Sequence, residues 1–140
     1  EKKGVQPGRV ELQAPPQAGP WGGLELHTGE AIGTSGDYQR YFDLDGQRYC
    51  HLLDPRTGLP AHGMQAATVL IGNMPDAGAR SDAATKPLFI DGMSNAMRHA
   101  AKFDLNWILL IDAHGKLYAS QAAKQRLHWQ GDAPSVQLLD

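Results

Sequence analysis

The fold is decided by the stretch Tyr41-Phe42-Asp43-Leu44-Asp45-Gly46-Gln47-Arg48-Tyr49-Cys50-His51-Leu52-Leu53. Two runs suited to β-strands flank Asp45-Gly46, a dipeptide typical of the two-residue turn of a β-hairpin because both residues tolerate positive φ angles. We therefore predict paired strands over residues 41–44 and 47–53. In the second strand, His51 would share a face with Tyr49 and Leu53.

Apolar residues at strand or helix spacing predict further elements on both sides of this hairpin. Strands are expected at residues 10–12, 24–27, 30–33 and 66–71, and a second hairpin at 106–111 and 116–119. Helices are expected at residues 77–90, with a kink at Pro87, at 94–103 and at 121–127. Helices among hairpin-forming strands predict an α+β domain with a mainly antiparallel sheet and two or three helices.

The chain of 140 residues is long enough for one domain with a single core. Residues 1–23, rich in proline and glycine, are expected to be loop apart from a short strand, and residues 130–140 to be a polar tail after a main part at 24–129. The chain begins at Glu1 without a signal-peptide pattern, as expected of a processed or trimmed product.

Composition excludes several classes of function. A net charge of −2 gives no electrostatic reason to expect nucleic acid or an anionic membrane as a partner, and no apolar run reaches the roughly 18 residues of a membrane span. The single cysteine, Cys50, rules out an internal disulfide. We expect Cys50 to be a buried apolar residue rather than a catalytic thiol.

Two polar clusters adjoin the decisive stretch, at ends of strands, where a rigid scaffold usually presents binding groups. In the first, Ser35-Gly36-Asp37, Gly36 would let a ligand approach the backbone of a turn. In the second, the imidazole of His51 can act as a base near neutral pH. Asp54 is expected to form a turn rather than to be a catalytic acid.

A third cluster, Ser81-Asp82-Ala83-Ala84-Thr85-Lys86, lies on the first predicted helix. Magnesium takes one or two carboxylates beside phosphate oxygens and water, so Asp82 with a hydroxyl one turn later could form such a site. A solvated helix charge or an N-terminal cap is the alternative. The six histidines show no zinc-binding spacing.

Together the clusters resemble the C-terminal part of the FAD:protein FMN transferases, the ApbE family, from about residue 19 to residue 129. The family pattern Thr/Ser-Ser-Gly-Asp-Tyr-x-Arg-Tyr/Phe-Phe is matched throughout by residues 34–42, and His-x-x-Asp-Pro-x-Thr-Gly by residues 51–58. The pattern Ala-Asp-Ala-x-x-Thr-x-x-Phe keeps Asp82 and Phe89 but has Lys86 where threonine is expected. The resemblance implies an ApbE-like, T-fold-like domain.

The resemblance also implies a reaction: Mg²⁺-dependent transfer of FMN from FAD to a threonine or serine hydroxyl of a partner protein, with AMP as the other product. His51 would be the catalytic base, and Asp82 would bind Mg²⁺. Thr85 would serve as the second metal ligand only if Pro87 shifts the helix register, since it lies one residue before the expected position. The residues expected to bind the flavin cofactor are Thr34, Ser35, Gly36, Asp37, Tyr38, His51, Thr57 and Gly58.

Several alternatives stay open. Lys86 could contact phosphate itself or weaken the metal site. The family's Lys-Gly and Gly-Gly-Asp segments have no counterpart here, so the chain is either a fragment of a longer protein or a natural short relative. It could be a flavinyl transferase, an FAD hydrolase releasing FMN and AMP, a non-catalytic flavin-binding module, or an interaction domain.

For the partner and the location, the resemblance implies an acceptor that is a flavoprotein subunit of a membrane-linked redox system. It also implies a periplasmic or membrane-anchored protein on the outer face of the cytoplasmic membrane.

Overall fold

The computed structural model describes residues 8–13, 20–130 and 135–139. Its strands are β1 (Gly8–Gln13), β2 (Pro20–Leu26), β3 (Ala31–Gly36), β4 (Tyr41–Leu44), β5 (Gln47–Cys50), β6 (Leu53–Asp54), β7 (Leu59–Pro60), β8 (Met64–Ile71), β9 (Trp107–Asp112), β10 (Leu117–Ala119), β11 (His128–Trp129) and β12 (Val136–Leu138). Its helices are α1 (Ala77–Asp91), α2 (Ala96–Phe103) and α3 (Gln121–Arg126), with a 3₁₀ turn at Met93–Asn95.

The centre of the molecule is a five-stranded sheet in the order β12-β10-β9-β8-β3. All of its neighbouring pairs are antiparallel except β10 and β12. A three-stranded antiparallel sheet, β1-β2-β11, and the hairpins β4–β5 and β6–β7 complete the strands. The predicted α+β class with a mainly antiparallel sheet is confirmed.

Side chains alternate across β8 and β9 and so build two cores. Val69 and Leu110 face the first core, which also holds Leu88 and Phe89 of α1. Leu70 and Leu109 face the second core, together with β1, β2 and α3. The two central strands are therefore apolar on both faces, which explains their nearly continuous apolar sequence. In the part of the chain that the structure describes, no helix is both long and apolar enough to cross a membrane.

Both predicted hairpins are confirmed. Asp45 and Gly46 connect β4 to β5 with φ angles of 52° and 76°, which the two-residue turn requires. The second hairpin pairs β9 with β10. Cys50 is buried, as predicted, with its thiol directed at the carbonyl of Ala61 (3.6 Å).

The N-terminal segment is more ordered than its composition indicates. Residues 8–13 form a longer strand than predicted, and β2 begins at Pro20 although residues 20–23 were expected to be loop. Proline is compatible with the first position of a strand. A Cβ at Gly22 would lie 2.6 Å from the carbonyl oxygen of His128, so glycine permits the neighbouring backbone to approach. The loop prediction for residues 1–7 and 14–19 lies outside the described residues.

Two strand ends near the polar clusters differ from prediction. Ser35 and Gly36 lie inside β3, paired with β8, rather than in a turn, and the bend follows at residues 37–40. The strand predicted over 47–53 ends at Cys50, so His51 lies just beyond it and shares no strand face with Leu53. The amide of His51 instead donates to the carbonyl of Arg40 (3.1 Å), which closes the base of the hairpin.

The predicted helices form with small changes. α1 continues through Pro87 to Asp91. The second helix starts with a 3₁₀ turn, and α3 ends at Arg126. The polar tail contributes a strand that was not predicted, β12, which pairs in parallel with β10.

Candidate functional site

An open cleft of about 260 Å³ lies between the end of β3, the middle of α1 and the base of the β4–β5 hairpin. We call it the β3–α1 cleft. It brings residues of all three polar clusters together although they are up to about 50 positions apart in the sequence. Its lining residues are Thr34, Ser35, Gly36, Tyr38, Gln39, Arg40, His51, Leu52, Asp82 and Lys86.

Buried contacts between β3 and α1 fix the floor of the cleft. Thr85 Oγ1 donates to the carbonyl of Asp82 (2.7 Å), so the hydroxyl of Ser35 donates to Thr85 Oγ1 (2.7 Å). Both side chains are buried, with Thr85 fully so. Two residues before Ser35 on the same strand, Gly33 lets β3 approach the helix backbone, because a Cβ there would lie 2.6 Å from the carbonyl carbon of Ser81.

His51 stands at the exposed side of the cleft, at the base of the hairpin. Its Nδ1 lies 3.3 Å from the carbonyl oxygen of Arg40, which also accepts the His51 amide. A carbonyl can only accept, so this bond requires the proton on Nδ1 and leaves the Nε2 lone pair available. The arrangement suits an imidazole that takes a proton from a bound hydroxyl.

Asp82 and Lys86 face the cleft from neighbouring turns of α1. The ammonium of Lys86 donates to Asp82 Oδ1 (2.5 Å) and to the Asp82 carbonyl (3.0 Å). The side chain of Asp82 is 76% exposed and that of Lys86 is 38% exposed. The two groups form a partly exposed ion pair, and such pairs contribute little to stability.

The structure does not bring four of the expected site residues into this cleft. Thr85 is in the core, as described above. Asp37 lies on the other side of the bend, beside Arg48, where burial raises the pKa of its carboxyl more than Arg48 lowers it. Thr57 and Gly58 lie in the β6–β7 turn, away from the cleft lining.

The β6–β7 turn is built by Asp54, as predicted. Its carboxylate accepts from the backbone amide of Arg56 (2.9 Å), and its carbonyl accepts from the amide of Gly58 (2.8 Å). Gly58 has a φ of 70°, which suits glycine. The side chain of Arg56 also bridges Asp54 to Asp91 at the end of α1, 2.8 Å from each. Through Arg56, the β6–β7 turn therefore ties residues 51–58 to the end of α1.

Four cleft residues were absent from the predicted site: Gln39, Arg40, Leu52 and Lys86. Arg40 follows the first cluster within the family pattern at residues 34–42, and its charge was the available signal. Lys86 was recognised as a departure from the family pattern, with phosphate contact as one interpretation. With both side chains in the lining, the cleft has two permanent cations and one histidine against the single carboxylate of Asp82.

The sequence and the fold were compared with those of known proteins, and the matches belong to one family. The sequence model of the ApbE family matches residues 1–109. The FAD:protein FMN transferase of Rhodobacter capsulatus is 39% identical over 124 residues, which are 89% of this chain and 23% of that protein. Among solved structures, the ApbE protein of Thermotoga maritima matches with a TM-score of 0.70 at 29% identity, over 89% of this chain and 39% of that one.

The flavinyl transferase ApbE of Pseudomonas stutzeri, solved in its apo form, matches with a TM-score of 0.66 at 27% identity. That match covers 89% of this chain and 38% of the Pseudomonas chain. Fold, cleft motifs and sequence thus agree, and the chain belongs to the ApbE family. It spans about a quarter of the Rhodobacter relative and about two fifths of the two solved chains.

Proposed function

We propose that this chain is the part of an FAD:protein FMN transferase that holds the FAD diphosphate and activates the acceptor hydroxyl. The observation that carries the proposal is the state of His51. Its Nδ1 is committed to the Arg40 carbonyl, and its Nε2 is open at a cleft lined by two cations. A base beside an anion site is what phosphoryl-type transfer to a hydroxyl requires.

In the proposed reaction, a threonine or serine hydroxyl of the partner protein attacks the FMN-side phosphorus of FAD. Nε2 of His51 takes the hydroxyl proton as the new oxygen–phosphorus bond forms. The bond from that phosphorus to the bridging oxygen breaks, AMP leaves with the electron pair, and the product carries phosphoester-linked FMN. A water molecule in place of the hydroxyl would give FMN and AMP instead.

The flavin half of FAD is proposed to lie along residues 34–38, with Thr34, Ser35, Gly36 and Tyr38 as its contacts. Supporting this, these residues form one wall of the cleft and are continuous with β3. Asp37, Thr57 and Gly58, which the family pattern also implicates, lie outside the lining and would contact FAD only through a rearrangement of their loops.

The Mg²⁺ that the family pattern implies does not fit the donor set in this chain. Among the described residues, Asp82 is the only carboxylate lining the cleft, and one of its two oxygens is bonded by the Lys86 ammonium. The Thr85 hydroxyl is fully buried and bonded on both sides. The proposed transfer therefore includes no metal step.

The partner and the location are proposals of the same kind. We propose an acceptor that is a flavoprotein subunit of a membrane-linked redox system, met on the outer face of the cytoplasmic membrane. Family membership supports both proposals. A net charge of −2 is compatible with a protein partner and gives no attraction for nucleic acid.

The test is covalent flavin transfer. The chain is incubated with FAD and a threonine-containing acceptor domain, and flavin fluorescence is then read on the denatured acceptor. We expect a labelled acceptor with the wild type and none with H51A, while both bind FAD alike. The matched control is H114A, because His114 is exposed in the β9–β10 turn and does not line the cleft.

Other results would change the assignment. Equal labelling by wild type and H51A would refute the role of His51 as the base. Loss of FAD binding in H51A would make the histidine structural. Tight FAD binding with no labelled acceptor would favour the non-catalytic flavin-binding module.

A further inference from the structure

The β3–α1 cleft is lined by more positively charged side chains than negatively charged ones. Of the residues that the structure describes, Lys86, Arg40 and His51 line it together with one carboxylate, that of Asp82. The cleft therefore has an excess of positive charge even with Asp82 fully ionised. An anionic ligand is expected to be attracted to such a cleft, and a free divalent cation is not.

The position of Lys86 is set by its own helix. Its ammonium is held one turn from Asp82 by two hydrogen bonds, to Oδ1 and to the carbonyl oxygen. An ammonium has three donors, so one remains for a ligand. The aliphatic stem is partly covered, and the group is 38% exposed, which leaves it accessible from the cleft.

The same geometry disfavours a divalent cation at this place. Mg²⁺ needs a near-octahedral set of oxygen ligands, and the position one turn after Asp82 provides a positive donor instead of an oxygen. The neighbouring hydroxyl, Thr85, is turned into the core toward Ser35. A metal at Asp82 would thus lack a second side-chain ligand and would lie against a like charge.

We propose that Lys86 binds the diphosphate of FAD directly and takes the place of a divalent cation, with Asp82 as the residue that positions it. The inference rests on the proposed function for the identity of the ligand. The ammonium neutralises diphosphate charge without a metal, and FAD binding is independent of Mg²⁺.

The test is equilibrium binding to the 140-residue chain with three probes: FAD, ADP as the diphosphate without flavin, and riboflavin as the flavin without phosphate. Each is titrated in EDTA and in excess Mg²⁺ and followed by calorimetry. For the wild type we expect the same FAD dissociation constant in both buffers, within about twofold. Loss of one charge-assisted bond in K86M should weaken FAD and ADP about tenfold or more and leave riboflavin unchanged.

Three further variants sharpen the result. K86R keeps the charge and should retain most of the FAD affinity. K86T places an oxygen one turn after Asp82, and its FAD binding should become stronger with Mg²⁺. K102M removes an exposed lysine of α2 that does not line the cleft, and should bind all three probes like the wild type.

Wild-type FAD binding that tightens tenfold with Mg²⁺, or K86M that binds FAD as well as wild type, would overturn the inference. Lysine-dependent binding of ADP without binding of FAD would keep Lys86 as a diphosphate site but refute FAD as the substrate. Failure of the wild type to bind either nucleotide in both buffers would refute the diphosphate site and the proposed function together.

Discussion

Replacing Gly33 with alanine should separate the strand that carries the cleft from the helix beside it. A Cβ at this position would lie 2.6 Å from the carbonyl carbon of Ser81 and 3.0 Å from the amide nitrogen of Asp82. Carbon atoms in contact normally keep about 3.5 to 4.0 Å, so β3 and α1 would have to move apart by about 1 Å. Both neighbours are helix backbone, which cannot rotate away as a side chain can.

The expected cost follows from the packing that this movement disturbs. Overpacking of a tight core contact destabilises by about 1 to 3 kcal/mol. Gly78→Ala provides the matched control, because Gly78 lies in α1 and a Cβ there would meet nothing within 4 Å. Alanine in an open helix position should stabilise by about 0.4 to 1 kcal/mol. The two variants should therefore differ by about 1.5 to 4 kcal/mol in the free energy of unfolding.

Urea denaturation followed by circular dichroism measures the difference, with equal m-values as the sign that the unfolded states are comparable. G33A should also weaken FAD binding, because the contact lies directly under Asp82. If G33A unfolds at the same urea concentration as G78A, the close approach of β3 to α1 is wrong, and with it the rigid floor of the cleft.

Three smaller predictions concern Thr85, Asp91 and Cys50. Thr85→Val should lower the free energy of unfolding by about 1 to 3 kcal/mol in urea denaturation, because the hydroxyl of Ser35 loses its buried acceptor. Adding S35A to this variant should restore part of the lost stability. If it restores none, the Ser35–Thr85 hydrogen bond is contradicted. The hydrogen bond from His99 (2.7 Å), with the nearby arginines, lowers the pKa of Asp91 below its usual 3.8, so this contribution to stability is present above pH 3.8 and lost as the pH falls through the lowered value. D91N should therefore lose less stability than the wild type on acidification, and parallel curves would refute the assignment. Cys50 should react with iodoacetamide only after unfolding, and C50A should keep full transfer activity; rapid labelling of the native chain would show that the thiol is accessible.

The features that could be predicted from sequence are those fixed by local chemistry. Asp45-Gly46 predicts the hairpin because the turn depends only on the φ angles of those two residues, and both angles are positive in the structure. The buried central strands were predicted from apolar runs, whose length and composition do not depend on their partners. The Asp82–Lys86 ion pair was not predicted, although its i, i+4 spacing on a helix was visible in the sequence.

The features that were missed depend on partners distant in sequence. From sequence alone, Gly22 is expected in a loop. In the structure it lies in β2, against the backbone of His128, which is more than 100 positions later in the chain. Thr85 reads as a metal ligand near Asp82, but Ser35, on a strand 50 positions earlier, takes up its hydroxyl. Short-range patterns give no information on such contacts. Thr85 was therefore included among the cleft residues of α1, although its side chain faces the core.

The residues proposed to bind the diphosphate and the residue proposed as the base lie on different parts of the fold, and this separation can be tested. Lys86 and Asp82 stand on a helix that buried contacts hold against β3, so diphosphate binding depends on a rigid unit. His51 stands at the base of an exposed hairpin and is oriented by the Arg40 carbonyl. Substitutions at Lys86 should therefore raise the dissociation constant of FAD, whereas H51A should lower the rate of transfer at saturating FAD. A variant of either residue that changed both quantities alike would show that the two parts move as one.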